Sequence, residues 1–147
     1  MISPGKITVE KLHALTGHQG AVYTLERSGN DNFFFSGSSD NYVTRWDLSN
    51  TIPPEAIIRS ETTVYSLCFI RTKNFLVIGE TSGAFHVIDL NNKKEIKNIT
   101  LHKGGLFDIK FSEKNNFLFT ASADGSFAAW DADTFQLITH QSLCNAK

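Results

Sequence analysis

Scarcity narrows the possibilities before any motif is read. Two cysteines, Cys68 and Cys144, are too few for a disulfide scaffold and lack the paired spacing of a metal site. Cys68 lies in an apolar run and reads as a buried thiol, which fits a reducing compartment and a cytoplasmic location. The 14 Lys and Arg nearly balance the 15 Asp and Glu, for a formal net charge of −1. With no basic excess to meet a phosphate backbone, nucleic acid is not an expected partner. No apolar stretch is long enough to span a bilayer, and the opening MISPGKITVEK has no signal-peptide core, so no membrane is expected either. The NIT at 98–100 matches a glycosylation sequon, but so short a pattern arises easily by chance. Missing too is any ten-residue stretch with a 3.6-residue apolar stripe, which argues against helices.

What the chain has is repetition. SGSSDNYVTRWDL at 36–48 returns as TASADGSFAAWDA at 120–132, and IGETSGAFHVIDL at 78–90 sits midway, so the spacing is 42 in both intervals. The register extends upstream through Val22, Val64 and Leu106, then Leu25, Leu67 and Ile109, then Phe33, Phe75 and Phe117. A period of this size held over three copies marks a solenoid, a propeller or an array.

The apolar runs are short and bounded by Gly, Asn, Asp or Ser, which reads as strands. Four segments recur in each period. The first falls at 22–27, 64–69 and 106–111, and the second at 33–37, 75–79 and 117–121. The third falls at 42–47, 84–89 and 126–131, and the fourth at 56–59, 95–99 and 135–139. The second is almost continuously apolar and should be covered on both faces. The links SSDN, ETSG and SADG supply hairpin turns, with Gly, or Asn41 in its place, tolerating positive φ. Sheets this small cannot bury their own faces and must stack on copies of themselves, as propeller blades do.

These residues resemble the WD40 repeat family. Copy one supplies Gly17-His18, Ser36, Asp40, Trp46 and Asp47; copy three supplies His102, Thr120, Asp124, Trp130 and Asp131, with Leu101 in place of the Gly. In both, Asp follows His by 22 residues and Ser or Thr by 4, and precedes Trp by 6. Copy two departs, holding Ser60, Ile78, Ser82 and Ile88 at the four positions while keeping the apolar pattern. The resemblance implies an all-β fold: a WD40-type β-propeller segment of three four-stranded antiparallel blades plus an extra N-terminal strand at 7–15. Blades are expected at 17–58, 59–100 and 101–142, after an N-terminal closing strand within 1–16.

Ser36, His18 and Asp40 are also the residue types of a hydrolase triad. No G-x-S-x-G elbow occurs, and Ser36 sits inside an apolar strand. The resemblance implies instead that Asp accepts from His, His bonds the hydroxyl, and the hydroxyl reaches the Trp N–H. A catalytic centre is made once and a folding device once per blade, so the expected enzyme activity is none. His13, His18, His86, His102 and His140 have no metal-ligand spacing, and no metal or cofactor is expected. His86 reads as an ordinary strand side chain.

Function is then expected at surfaces. In the family, partners dock on the rim formed by the fourth-to-first and second-to-third loops, which makes Gln19, Arg59, Glu61, Glu80 and Lys103 candidate contacts. The leading expectation is a scaffold for a partner protein or peptide. The alternative is an accessory or regulatory propeller part of a larger enzyme or signalling protein, and a small molecule in the axial channel is a third. Three blades fall short of the four to eight of a propeller. The expected completions are a missing C-terminal half, self-association of copies, or a different chain.

Overall fold

Short apolar runs with exposed backbone amides satisfy them by pairing with neighbouring strands. In the computed structural model, which describes residues 5–143, they pair into three separate four-stranded antiparallel sheets. Blade one is β1 (Val22–Arg27), β2 (Phe33–Ser38), β3 (Tyr42–Asp47) and β4 (Glu55–Arg59). Blade two is β5 (Val64–Ile70), β6 (Phe75–Glu80), β7 (Ala84–Asp89) and β8 (Lys94–Thr100). Blade three is β9 (Leu106–Ser112), β10 (Phe117–Ser122), β11 (Ser126–Asp131) and β12 (Leu137–Ser142). The first strands lie side by side, β1 against β5 and β5 against β9, while the fourth strands are outermost. Among the described residues no helix is long and apolar enough to cross a membrane.

The core lies in the two seams between blades. Phe35 and Val43 of blade one meet Val64, Leu67, Leu76 and Ile88 of blade two. Phe85 and Val87 on the far face of blade two meet Leu106, Ile109, Leu118 and Trp130 of blade three. β6 is therefore covered on both faces, as its continuous apolar run requires. At Gly79 a Cβ would stand 3.0 Å from the Leu106 Cβ and 2.2 Å from the Ser66 Oγ, so the small residue is what lets β9 approach. The second-to-third turns place Asn41, Gly83 and Gly125 at φ 70°, 87° and 82°. At Gly83 a Cβ would lie 2.3 Å from the His102 carbonyl oxygen.

Two stretches differ from the sequence reading. The fourth strand of blade three runs Leu137–Ser142, later than the expected 135–139. Phe135 instead occupies the turn at φ 57°, closed by Phe135 N–H to Asp131 C=O at 2.7 Å and Asp131 N–H to Gln136 C=O at 2.9 Å. Its apolar character serves burial between blades and not strand pairing. The N-terminal segment, expected as an extra strand, precedes blade one without joining any of the three sheets, and Ile7, Val9 and Leu12 are 78–89% exposed. Cys68 is buried, which pushes its thiol up to about 12, while Cys144 lies outside the described residues.

The outer faces of blades one and three have no blade against them. Val22 and Leu25 are 48% and 67% exposed, whereas Val64, Leu67, Leu106 and Ile109 one and two periods on are at most 5% exposed. The accessible surface is 9448 Å², against about 7,500 Å² for a folded monomer of this mass. The exposed N-terminal segment and the uncovered face carrying Val22 and Leu25 both add to the excess.

Candidate functional site

Polar residues inside a strand or buried loop must find partners or forfeit their hydration. In blade one they do so as a chain. Trp46 Nε1–H donates to Ser36 Oγ at 2.6 Å, Ser36 Oγ contacts His18 Nε2 at 2.6 Å, and His18 Nδ1 contacts Asp40 Oδ2 at 2.8 Å. One proton assignment satisfies all of them: Ser36 O–H donates to Nε2 and Nδ1–H donates to Asp40. Asp40 also accepts the Gln19 and Tyr42 N–H groups at 2.9 and 3.0 Å. Burial pushes the Asp40 carboxyl up, but these bonds and His18 outweigh it and hold the pKa below its usual value. The chain ties the loop before β1 to the β2–β3 turn and to both strands.

Blade three repeats the arrangement with one change. Trp130 Nε1–H donates to Thr120 Oγ1 at 3.0 Å, and Thr120 meets His102 Nε2 at 2.8 Å. His102 Nδ1 reaches Ser126 Oγ at 2.9 Å, and Ser126 donates to Asp124 Oδ1 at 2.5 Å. Asp124 itself stands 3.7 Å from His102, so Ser126 is a relay that the sequence reading missed. Burial of His102 pushes its pKa down, with His140 adding to the fall and Asp124 opposing it.

This hydrogen-bond order is also that of a Ser-His-Asp triad, but access decides what it can do. Ser36 is 2% exposed, and its oxygen already receives the indole N–H. No substrate carbonyl can reach it. Among the described residues no cluster of three His, Cys, Asp or Glu could hold a metal ion.

Blade two carries a different polar centre. Glu80, expected on the rim, is 2% exposed and turns inward, so it is not a surface contact. Its Oε2 accepts from Thr62 at 3.2 Å and Ser82 at 3.1 Å, while Oε1 stands 3.3 Å from His86 Nε2. His86 Nδ1 pairs with Glu95. The carboxylate–imidazolium contact raises His86 to about 9, against burial that lowers it, with Glu95 adding to the rise. Burial pushes Glu80 up, but His86 and the Ser60 and Ser82 hydroxyls outweigh it and hold the carboxyl at about 2. The absent Trp and His are thus replaced by an ion pair, and His86 is more than an ordinary strand residue.

Gln19, Arg59, Glu61 and Lys103 are exposed at the loop ends of the blades. Between these loops lies a row that sequence reading passed over. Tyr23, Tyr65 and Phe107 occupy one repeat position, at the β-bulge that opens each first strand. Their ring centroids are 5.0 and 5.1 Å apart, and Tyr23 and Phe107 are 54% and 59% exposed. An aromatic side chain recurring at one offset was the available signal.

Comparison with known proteins agrees with this geometry. The model of the WD domain, G-beta repeat, matches residues 9–47 and 93–131. The first match takes in the N-terminal segment at the place where the second takes in β8. The chain is 23% identical to transcription factor unc-37 of Caenorhabditis elegans, over 97% of this chain and 24% of that protein. It is 25% identical to a guanine nucleotide-binding protein subunit beta of Lymnaea stagnalis, over 92% of this chain and 40% of that protein. Among solved structures, U3-55K superposes with a TM-score of 0.75 at 18% identity, covering 87% of this chain and 41% of that one. The chain therefore spans about a quarter to two fifths of the length of these relatives.

Proposed function

The chain belongs to the WD40 repeat family, and from that premise we propose that it is a non-enzymatic scaffold whose rim loops bind a partner protein or peptide. The fold generally works through protein–protein interaction. The observation that carries the finer reading is the row of exposed Tyr23, half-buried Tyr65 and exposed Phe107, with Gln19, Arg59, Glu61 and Lys103 exposed on the loops. Aromatic anchors inside a polar border are the usual composition of an interface hot spot. Affinity capture from the source cells, with Tyr65→Ala and Phe107→Ala against the outer-strand control Lys97→Ala, tests this. Loss of captured protein in the first two and retention in the third is expected; equal capture by all three refutes the rim.

We further infer that additional blades complete the ring, from repeats in the same polypeptide or from a second copy. The support is the contrast between exposed Val22 and Leu25 and their buried counterparts, together with a family-model match that begins at residue 9 in the first repeat and at residue 93, beside β8, in the second. Sedimentation at high concentration separates the sources, since a clean monomer removes the second copy. The alternative, an accessory propeller in a larger enzyme or signalling protein, draws on the short span relative to the relatives. A reading frame that encodes a catalytic region beside these blades would favour it.

A further inference from the structure

The two seams are assembled from the same repeat positions but filled differently. Between blades two and three, Trp130 and Phe135 are 3% and 4% exposed. Trp130 meets Phe85 edge-on at 5.0 Å, and Phe135 lies 6.5 Å from Phe75. One period earlier the corresponding residues are Ile88 for Trp130, Lys93 for Phe135 and Val43 for Phe85. Lys93 does not turn inward; its Nζ extends into solvent, 3.4 Å from Glu55. Ile88 and Val43 fill less space than an indole and a phenyl ring. The first seam accordingly keeps a cavity of about 200 Å³, floored by Phe35, Ile57, Ile58, Ile88 and Leu90. An apolar cavity of roughly 150 Å³ is enough to admit benzene.

The mouth of this slot is charged. Arg45 pairs with Glu55 at 2.6 Å, and Lys93 stands on the other side of Glu55. The place that Thr120 takes in the second seam is held here by Ile78, so no buried hydroxyl asks for an indole N–H.

We propose that this slot receives one aromatic side chain, Trp or Phe, from a partner polypeptide. The repeat itself names the occupant, because the equivalent slot one period later is filled by two aromatic rings carried on a chain. The Arg45, Glu55 and Lys93 mouth offers donors and acceptors of both signs to the peptide groups that flank such a ring. Lys93 belongs to the link between third and fourth strands, at the end of the blades opposite the rim loops, so the slot stands independently of the rim reading.

The test titrates N-acetyl-tryptophanamide and free indole into the full chain carrying ¹³C-labelled isoleucine methyls. Saturable shifts confined to Ile57, Ile58 and Ile88 are expected with the capped amino acid. Ile88→Trp fills the slot from within and should weaken binding by about tenfold or more, since the ring no longer finds apolar surface to cover. Lys93→Phe, which copies the Phe135 arrangement, fills it from the mouth and serves if the first variant does not fold. Absence of saturable shifts, shifts that centre on Val22 and Leu25, or unchanged binding in both variants overturns the proposal. Binding of indole without N-acetyl-tryptophanamide overturns it as well, because the slot would then admit a free small molecule and not a chain-borne ring.

Discussion

Trp130→Ala is the sharpest probe of how the blades hold one another. The indole is buried in the second seam, edge-on to Phe85 of the neighbouring blade, and its N–H ends the Asp124–Ser126–His102–Thr120 chain. Emptying a buried aromatic site costs about 3–5 kcal/mol, of which the edge contact with Phe85 accounts for about 1 kcal/mol. Trp130→Phe separates the two roles: it keeps most of the ring but leaves the Thr120 oxygen without its donor, for a cost of about 1–2 kcal/mol. Urea unfolding followed by far-ultraviolet circular dichroism reads both. An alanine variant within 1 kcal/mol of the parent would mean that the second seam is not stabilised by this ring. Equal costs for alanine and phenylalanine would mean that the hydrogen bond, and not the packing, carries the effect.

Other outcomes follow from the same geometry. Ser36→Ala strands the Trp46 N–H and one nitrogen of His18, and should cost about 1–3 kcal/mol in the same unfolding assay; a loss under 0.5 kcal/mol would show the chain to be dispensable. Gly83→Ala forces a side chain into the left-handed region and against the His102 carbonyl, and should lower the melting temperature well beyond Gly5→Ala, whose surroundings are open. His86, raised from 6.5 to about 9, contributes stability that is complete below pH 6.5 and lost as pH rises through 9. Glu80, lowered from 4.5 to about 2, contributes stability present above pH 4.5 and lost as pH falls toward 2. Melting temperature against pH should therefore show a shoulder falling between pH 6.5 and 9 that His86→Gln removes, and an unchanged profile in that variant would refute the ion pair.

Repetition made much of the fold legible. The identical offsets among His18, Ser36, Asp40 and Trp46, and among His102, Thr120, Asp124 and Trp130, announced side chains that the structure brings within 3.7 Å of one another along each chain. Where a repeat position changed type, reading by analogy lost its hold. Glu80 sits at a loop end and was expected in solvent, yet His86 on the neighbouring strand β7 draws it inward. Phe135 looked like strand material because apolar residues favour both strands and seams, and only its φ and its closing hydrogen bonds distinguish them.

Local pattern and period by themselves determined the strands, their grouping in fours and the stacking of blades, because each depends on residues related by one translation along the polypeptide; the polar chains came from the family resemblance those residues carry. Tertiary structure alone decided which faces stay open, that the Ile88 seam keeps a cavity while Trp130 and Phe135 are buried in the other, and that Glu80 and His86 come together. Those outcomes depend on volume and charge summed across neighbouring blades, and no single stretch of sequence contains both sides of a seam.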